Sequence, residues 1–323
     1  MQLLIRPFTE ADYWIQQKIS CITPSEKADS IGEIRYNDSH RDPRCLFQRW
    51  VVELDGEGIA IGEYSQDAQR YHPQVFTIHG LVHPGYRRQG IGGTLYTYVI
   101  NALRSFHPRY IRKRIQADNE AGLSFLKVRG FQEERQIQES CLDLAHIHFP
   151  SHTSNGKLFL ARHIEFSSLK DLASDRERDR KLYELIHELS HDVPSPQPSV
   201  SVSYEEFVTY RLHHHTLMPE LSFIAHHHDE YIGVSELKAT ARKHELTTGL
   251  TAVKRPYRQQ GIGRALKLRC ISSANRAGYA MIRTTNDTRN TAILGLNEQL
   301  GFVKKDIWIE LTKEMRLGET DCA

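Results

Sequence analysis

Arg87-Arg88-Gln89-Gly90-Ile91-Gly92 recurs as Arg258-Gln259-Gln260-Gly261-Ile262-Gly263, 171 positions later. At the same spacing Asn119 returns as Asn290, and Gly130-Phe131 as Gly301-Phe302. Three landmarks at one offset over about forty residues mark a duplicated unit. Around each motif the apolar period changes. A strand is predicted over 75–82, then a helix over 90–106 with apolar residues at Leu95, Val99, Ala102, Leu103 and Phe106. A strand over 111–116 and a helix over 120–128 follow. The second copy repeats the order with a strand at 246–253, a helix at 261–277, a strand at 280–284 and a helix at 291–300. Each copy is therefore a mixed α/β (α+β) domain.

The openings of the copies match less closely. Leu4-Ile5-Arg6 and Phe159-Leu160-Ala161 both read as first strands, so the second copy gains about fifteen residues before its glycine loop. The gain falls between 174 and 210, where Leu182, Leu185, Ile186 and Leu189 predict a helix with Ser174 and Glu177 as its capping box. A proline-rich stretch, Asp192-Val193-Pro194-Ser195-Pro196-Gln197-Pro198, reads as an extended loop. Polar, turn-prone residues at 149–156 set the expected domains at 1–149 and 157–323.

The chain has 323 residues, 42 Lys+Arg against 40 Asp+Glu, 39% hydrophobic and 25% charged residues. That is long enough for two cores. A net charge of +2 argues against a bulk nucleic-acid or anionic-membrane partner. Met1 to Pro7 carries no basic leader, and no apolar run approaches the roughly 18 residues of a membrane helix. Cys21, Cys45, Cys141, Cys270 and Cys322 form no C-x-x-C pair. The expectation is a cytoplasmic chain with reduced thiols.

Glycines between a strand and a helix let the backbone approach a ligand closely. The first helical N–H groups lack intrahelical partners, so they cradle phosphate oxygens, and an arginine at the mouth adds a charge-assisted contact. Neither copy has the spacing of a dinucleotide fingerprint or the lysine of an ATP-binding loop. The remaining pyrophosphate ligand with this signature is coenzyme A.

With these residues the chain resembles the GCN5-related N-acetyltransferases (GNAT), in a tandem arrangement. The matching segments are Val82 to Gly92 with Asn119 and Gly130-Phe131, and Val253 to Gly263 with Asn290 and Leu300-Gly301-Phe302. The resemblance implies two domains, each a mixed central sheet flanked by helices, with an acyl-CoA site between two splayed parallel strands. It implies transfer of an acetyl group from acetyl-CoA to an amine, on a small molecule or an exposed amino group, by direct attack on the thioester. Carried over by position, the coenzyme-binding residues are Leu81, Val82, Arg87, Arg88, Gln89, Gly90, Ile91, Gly92, Gly93 and Asn119. In the second copy they are Ala252, Val253, Arg258, Gln259, Gln260, Gly261, Ile262, Gly263, Arg264 and Asn290.

The catalytic positions depart from the family. Its acid, a Tyr four residues before the Gly of the Gly-Phe pair, is Leu126 in one copy and Asn297 in the other. Its strand Glu, fourteen residues before the loop's first Gly, is Phe76 and Thr247. Glu245 shares a strand face with Thr247 and is the substitute base, the plainer reading being a charge capping a strand end in solvent. His79 has the wrong parity for a base and reads as structural. Tyr204, Tyr210 and Asp192 belong to the acceptor side of the second copy. The expectation is that the second copy catalyses, with Glu245 and Asn297 as its catalytic residues, and that the first is degenerate or binds CoA only. The other reading is a non-catalytic acyl-CoA-binding or regulatory module.

Two histidine runs, 213–215 and 226–228, read as solvated or locally hydrogen-bonded rather than as a metal site, because successive side chains diverge. The basic run 109–114 reads as the exposed start of a strand.

Overall fold

The computed structural model describes residues 2–22, 28–147, 159–192 and 202–315, so the joint expected at 149–156 and the prolines after Asp192 lie outside the described residues. Six strands fall in the first part of the chain: β1 (Leu3–Pro7), β2 (Phe47–Leu54), β3 (Glu57–Ser65), β4 (Val75–Val82), β5 (Tyr110–Gln116) and β6 (Gln132–Asp143). Six more follow: β7 (Ile164–Ser168), β8 (Phe223–His227), β9 (Glu230–Ala239), β10 (Glu245–Val253), β11 (Met281–Asp287) and β12 (Val303–Glu314). The helices are α1 (Tyr13–Ile22), α2 (Ile31–Ser39), α3 (Ile91–Leu103), α4 (Glu120–Lys127), α5 (Arg178–Ser190), α6 (Tyr204–Phe207), α7 (Ile262–Arg276) and α8 (Thr291–Gln299).

Two compact units result, and they do not follow the repeat boundary. One comprises Met1–Gln136 with Ile307–Ala323, the other Ile137–Asp306. Each sheet takes its last strand from the other repeat. In the first unit the order is β1-β2-β3-β4-β5-β12, and in the second β6-β11-β10-β9-β8-β7. The exchange keeps its register: Arg112 of β5 faces Thr312 of β12, and Arg283 of β11 faces Cys141 of β6. Both pairs are related by the 171-residue offset, so the two strands are equivalent and traded. Ile309 and Leu311 are buried in the first unit's core, and Leu142 in the second's.

The sites are built where the parallel strands part. β4 pairs with β5 over Val75↔Tyr110, Phe76↔Ile111 and Thr77↔Arg112, and β10 with β11 over Glu245↔Met281, Leu246↔Ile282 and Thr247↔Arg283. Beyond these residues each pair splays. α3 buries Ile91, Leu95, Val99 and Leu103 at three-to-four spacing, which fixes it on the sheet with its N-terminus at the fork's open end.

Three local expectations change. Residues 159–161 are helical, and the second repeat's opening strand is β7, Ile164–Ser168. α5 starts at Arg178 without a side-chain cap; Ser174 closes a 3₁₀ turn, and Asp175 accepts the Glu177 N–H at 2.9 Å instead. The basic run 109–114 lies largely in the interior strand β5, with Arg112 only 6% exposed, because β12 covers the edge that the first repeat alone would leave open.

Candidate functional site

The two glycine loops are built alike. Gly90 (φ 83°) and Gly261 (φ 80°) are left-handed N-caps of α3 and α7, and Arg88 (φ 63°) and Gln259 (φ 60°) share that conformation two residues earlier. Such turns point successive N–H groups toward one centre, which suits a pyrophosphate. The first arginine of each motif is a staple: Arg87 Nε donates to the Val82 carbonyl at 3.0 Å, and Arg258 Nε to the Val253 carbonyl at 2.8 Å. Tyr86 hydroxyl to Glu57 (2.9 Å) and Tyr257 hydroxyl to Glu230 (3.3 Å) anchor the preceding turns.

What stands at the two mouths differs. In the second unit the Asp192 carboxylate bridges Arg255 and Arg258, with Arg255 Nε at 2.9 Å from Oδ1 and a further contact from each guanidinium. Those hydrogen bonds, Arg255 first and Arg258 next, pull the Asp192 carboxyl down to about 2. An internal carboxylate thus holds the charge that a phosphate would need. Replacing it (Asp192→Asn) is expected to raise the number of CoA molecules bound per chain from one to two by calorimetry. A stoichiometry unchanged by the substitution would show that the bridge does not guard this loop.

In the first unit a cavity of about 620 Å³ runs from the loop into the fork. Arg87, Arg88, Gly90, Gly92 and Gly93 line one end, the β4 segment from Ile78 to Val82 one side, and Asn119, Phe125 and Leu126 of the α4 segment the other. Of the sequence-derived residues, Leu81, Val82 and Asn119 therefore reach the cavity with the loop. Gln89 and Ile91 do not line it: Ile91 is buried, and Gln89 Nε2 donates to the Gly85 carbonyl at 3.3 Å. Asn119 and Asn290 are both helix caps, accepting from Gly122 N (2.9 Å) and Ile293 N (3.2 Å).

At the fork's base, Lys113 Nζ stands 3.0 Å from His79 Nδ1, and both residues line the cavity. Parity along β4 alone does not register this contact with the next strand. Where β4 and β5 part, Lys113 reaches through the gap. With Lys113 donating, His79 accepts at Nδ1 and carries its proton on Nε2. The offset-related positions in the second unit hold Leu250 and Thr284, and there the fork is closed by Thr248 Oγ1 donating to Thr284 Oγ1 at 2.7 Å.

Glu245 and Asn297 are engaged structurally. Glu245, 9% exposed rather than solvated, accepts from Arg283 Nε at 2.6 Å, and Arg283 also binds Glu139 at 2.8 Å. Its carboxylate ties β10 to β11. Asn297 is 1% exposed and donates from Nδ2 to Asn286 Oδ1 at 2.9 Å, holding α8 to the end of β11.

Two strand carboxylates were missed. Glu63 on β3 faces His79 across the sheet and binds Arg49 Nε at 2.6 Å. Glu236 on β9 is held by Arg211 at 3.1 Å to each oxygen and accepts the Leu250 N–H at 3.0 Å. Burial pushes the Glu236 carboxyl up, but Arg211, Lys238 and that amide outweigh it and leave it below its ordinary range. The Leu250 amide sits in a bulge between Thr248 and Thr251, and Gly249 is required there because a Cβ would lie 2.6 Å from Glu236 Oε2. The sequence signal was available: each Glu stands alone after an apolar run, 58–62 and 231–235. Lys267, 2% exposed with its Nζ 5.2 Å from the Phe302 ring, was also overlooked; burial lowers its ammonium to about 8.

The histidine runs make local contacts, such as His214 Nδ1 to Thr216 Oγ1 at 2.8 Å and His227 Nδ1 to Tyr257 hydroxyl at 3.1 Å. Among the described residues no cluster of three or more His, Cys, Asp or Glu is arranged to hold a metal. No described helix is long and apolar enough to cross a membrane.

The paired fork and glycine-loop geometry, present twice, is that of an acyltransferase fold. The model of the acetyltransferase (GNAT) family matches residues 12–131 and again 182–302, and the chain belongs to that family. A GCN5-related N-acetyltransferase from Sphaerobacter thermophilus is 20% identical over 98% of this chain and 97% of its own, with a TM-score of 0.74. A tandem GNAT protein from the clavulanic acid biosynthesis pathway, solved without AcCoA, is 18% identical over 98% of this chain and 100% of its own, with a TM-score of 0.71. At these identities the likeness is one of fold. A comparison with the curated proteins finds no match in sequence.

Proposed function

We propose that the chain is an N-acetyltransferase that takes its donor, acetyl-CoA, in the first unit and passes the acetyl group to an amine. The observation that carries this reading is the first unit's cavity, which connects an uncapped phosphate loop to the His79 and Lys113 pair. The loop amides with Arg87 and Arg88 match a pyrophosphate, and the unpaired β4 edge from Ile78 to Val82 offers backbone groups to the pantetheine arm. The second unit, with Asp192 across its loop, serves a structural or regulatory role in this reading, the reverse of the expectation from sequence.

Aminolysis of a thioester needs a neutral amine at about 3 Å, a stabilised oxyanion and an exit for the thiolate. His79 presents Nε2–H from the fork's base, with the Lys113 ammonium behind it. The Lys113 ammonium puts positive charge, and the neutral imidazole an N–H donor, where the oxyanion and the thiolate develop. Neither Phe76 nor Leu126 titrates, so the amine's proton leaves to water.

A thiol-release screen of acetyl-CoA against small amines, polyamines, aminoglycosides, amino acids and peptides finds the acceptor. With that acceptor, His79→Ala and Lys113→Met are each expected to lower kcat by about 10²-fold with KM for acetyl-CoA changed much less. Unchanged kcat in both variants would remove this pair from the mechanism. Binding of acetyl-CoA without turnover on any amine would favour a binding or regulatory module.

A further inference from the structure

A proton delivered to the departing sulfur speeds thioester aminolysis, and the first unit's cavity offers few sources of one. Among the described residues no carboxyl lines it, and Leu126, where the resemblance implies an acid, lines it without one. The Lys113 ammonium is turned to His79 Nδ1. Among the described residues on the wall, Tyr96 of α3 is the one phenol.

The surroundings of Tyr96 suit proton donation. The residue is 7% exposed, and its ring meets Phe125 and Phe131 edge to face, with centroids 6.1 and 6.3 Å away. Lys313 of β12, also 7% exposed, donates from Nζ to the phenol oxygen at 3.4 Å. An ammonium has no lone pair, so the phenolic hydrogen is directed at another acceptor. In a setting shielded from water the same ammonium stabilises the phenolate that remains once the proton has gone.

This pair exists because the strands are traded. β12 lies in the second repeat's sequence but pairs with β5, which sets Lys313 opposite Ile111. In the second unit the offset-related residues are Lys267 for Tyr96 and Leu142 for Lys313. Neither the phenol nor the strand lysine recurs there, in the unit whose loop Asp192 closes.

We infer that Tyr96 is the catalytic acid of the first unit and that Lys313, lent by the second repeat, is its positioning residue. This rests on the donor site proposed above. As the amine nitrogen bonds to the acyl carbon and the carbon–sulfur bond breaks, Tyr96 passes its proton to sulfur. The amine's proton leaves to water, and the phenolate regains a proton from water. CoA departs as the thiol, and the amide is the other product.

Single-turnover transfer to the acceptor found by the thiol-release screen, with the product read by mass spectrometry, tests it. Tyr96→Phe is expected to slow transfer from acetyl-CoA by about 10²-fold, with its affinity by calorimetry changed by less than about threefold. From the selenoester analogue of acetyl-CoA, whose selenolate leaves without a proton, the same variant should be slowed by less than about threefold. Lys313→Met should show the same pattern with a loss of about tenfold, and Lys313→Arg should keep most of the rate. An unchanged rate in Tyr96→Phe, or an equal loss with both donors, would overturn the inference. Equal losses in Lys313→Met and Lys313→Arg would remove Lys313 from it. Failure of the unaltered chain to bind acetyl-CoA, or binding without turnover on any amine, would overturn the reading proposed above.

Discussion

Gly92→Phe is expected to abolish acetyl-CoA binding, a loss of at least about 10²-fold, while Gly263→Phe changes it by less than twofold. Gly92 lies on the cavity wall, and a Cβ there would meet Phe125 at 3.7 Å and Val82 at 3.8 Å. A methyl group fits these spaces; an aromatic ring projects into the donor's path. Gly263 holds the equivalent place in the unit whose loop arginines are bridged by Asp192. Calorimetry on the two variants, with circular dichroism to check folding, decides which repeat holds the donor. Loss in Gly263→Phe with retention in Gly92→Phe would return the site to the second unit.

A chain ended after Asp306 is expected to lose donor binding as completely, although the cavity residues are all retained. Removing β12 takes Ile309 (7% exposed) and Leu311 (fully buried) out of the first core and leaves β5 as an open edge. Each such aliphatic loss costs about 2–5 kcal/mol, a large part of a domain's stability. Hydrogen exchange should show lost protection in residues 75–82 and 110–116 and retained protection in 245–287. Unaltered acetyl-CoA affinity in the shortened chain would refute the exchange of strands.

A milder form of the same prediction concerns Glu310 on β12. It is 4% exposed and pairs with Arg70 and Arg135 at 3.0 Å each. Burial pushes its carboxyl up, but the two guanidiniums outweigh this and bring it down to about 2. A depressed carboxyl stabilises the fold above its unfolded value of about 4.5 and loses that contribution as pH falls through about 2. The shift corresponds to about 3 kcal/mol. Glu310→Gln should therefore lower stability at neutral pH and flatten the acid limb of the unfolding curve between these values.

Much of the fold was legible because its signals are local. A left-handed Gly90 or Gly261 before a helix is a matter of a few adjacent residues, and the helices α3 and α7 follow from apolar spacing. The candidate site was legible only in part. Assigning Glu245 as a base used strand parity alone, which is blind to Arg283 on the next strand. Reading His79 as structural used the same parity, which is equally blind to Lys113 on the next strand.

By itself the sequence determined that one unit is repeated, that each repeat carries a glycine loop before a helix, and which family the repeats resemble. These follow from residue type and spacing along the chain. Tertiary structure decided which unit receives β6 and β12, which loop is closed by a carboxylate from α5's end, and which residues meet at the fork. Each depends on contacts between groups tens to hundreds of residues apart, such as Arg70 with Glu310, and no local pattern records them.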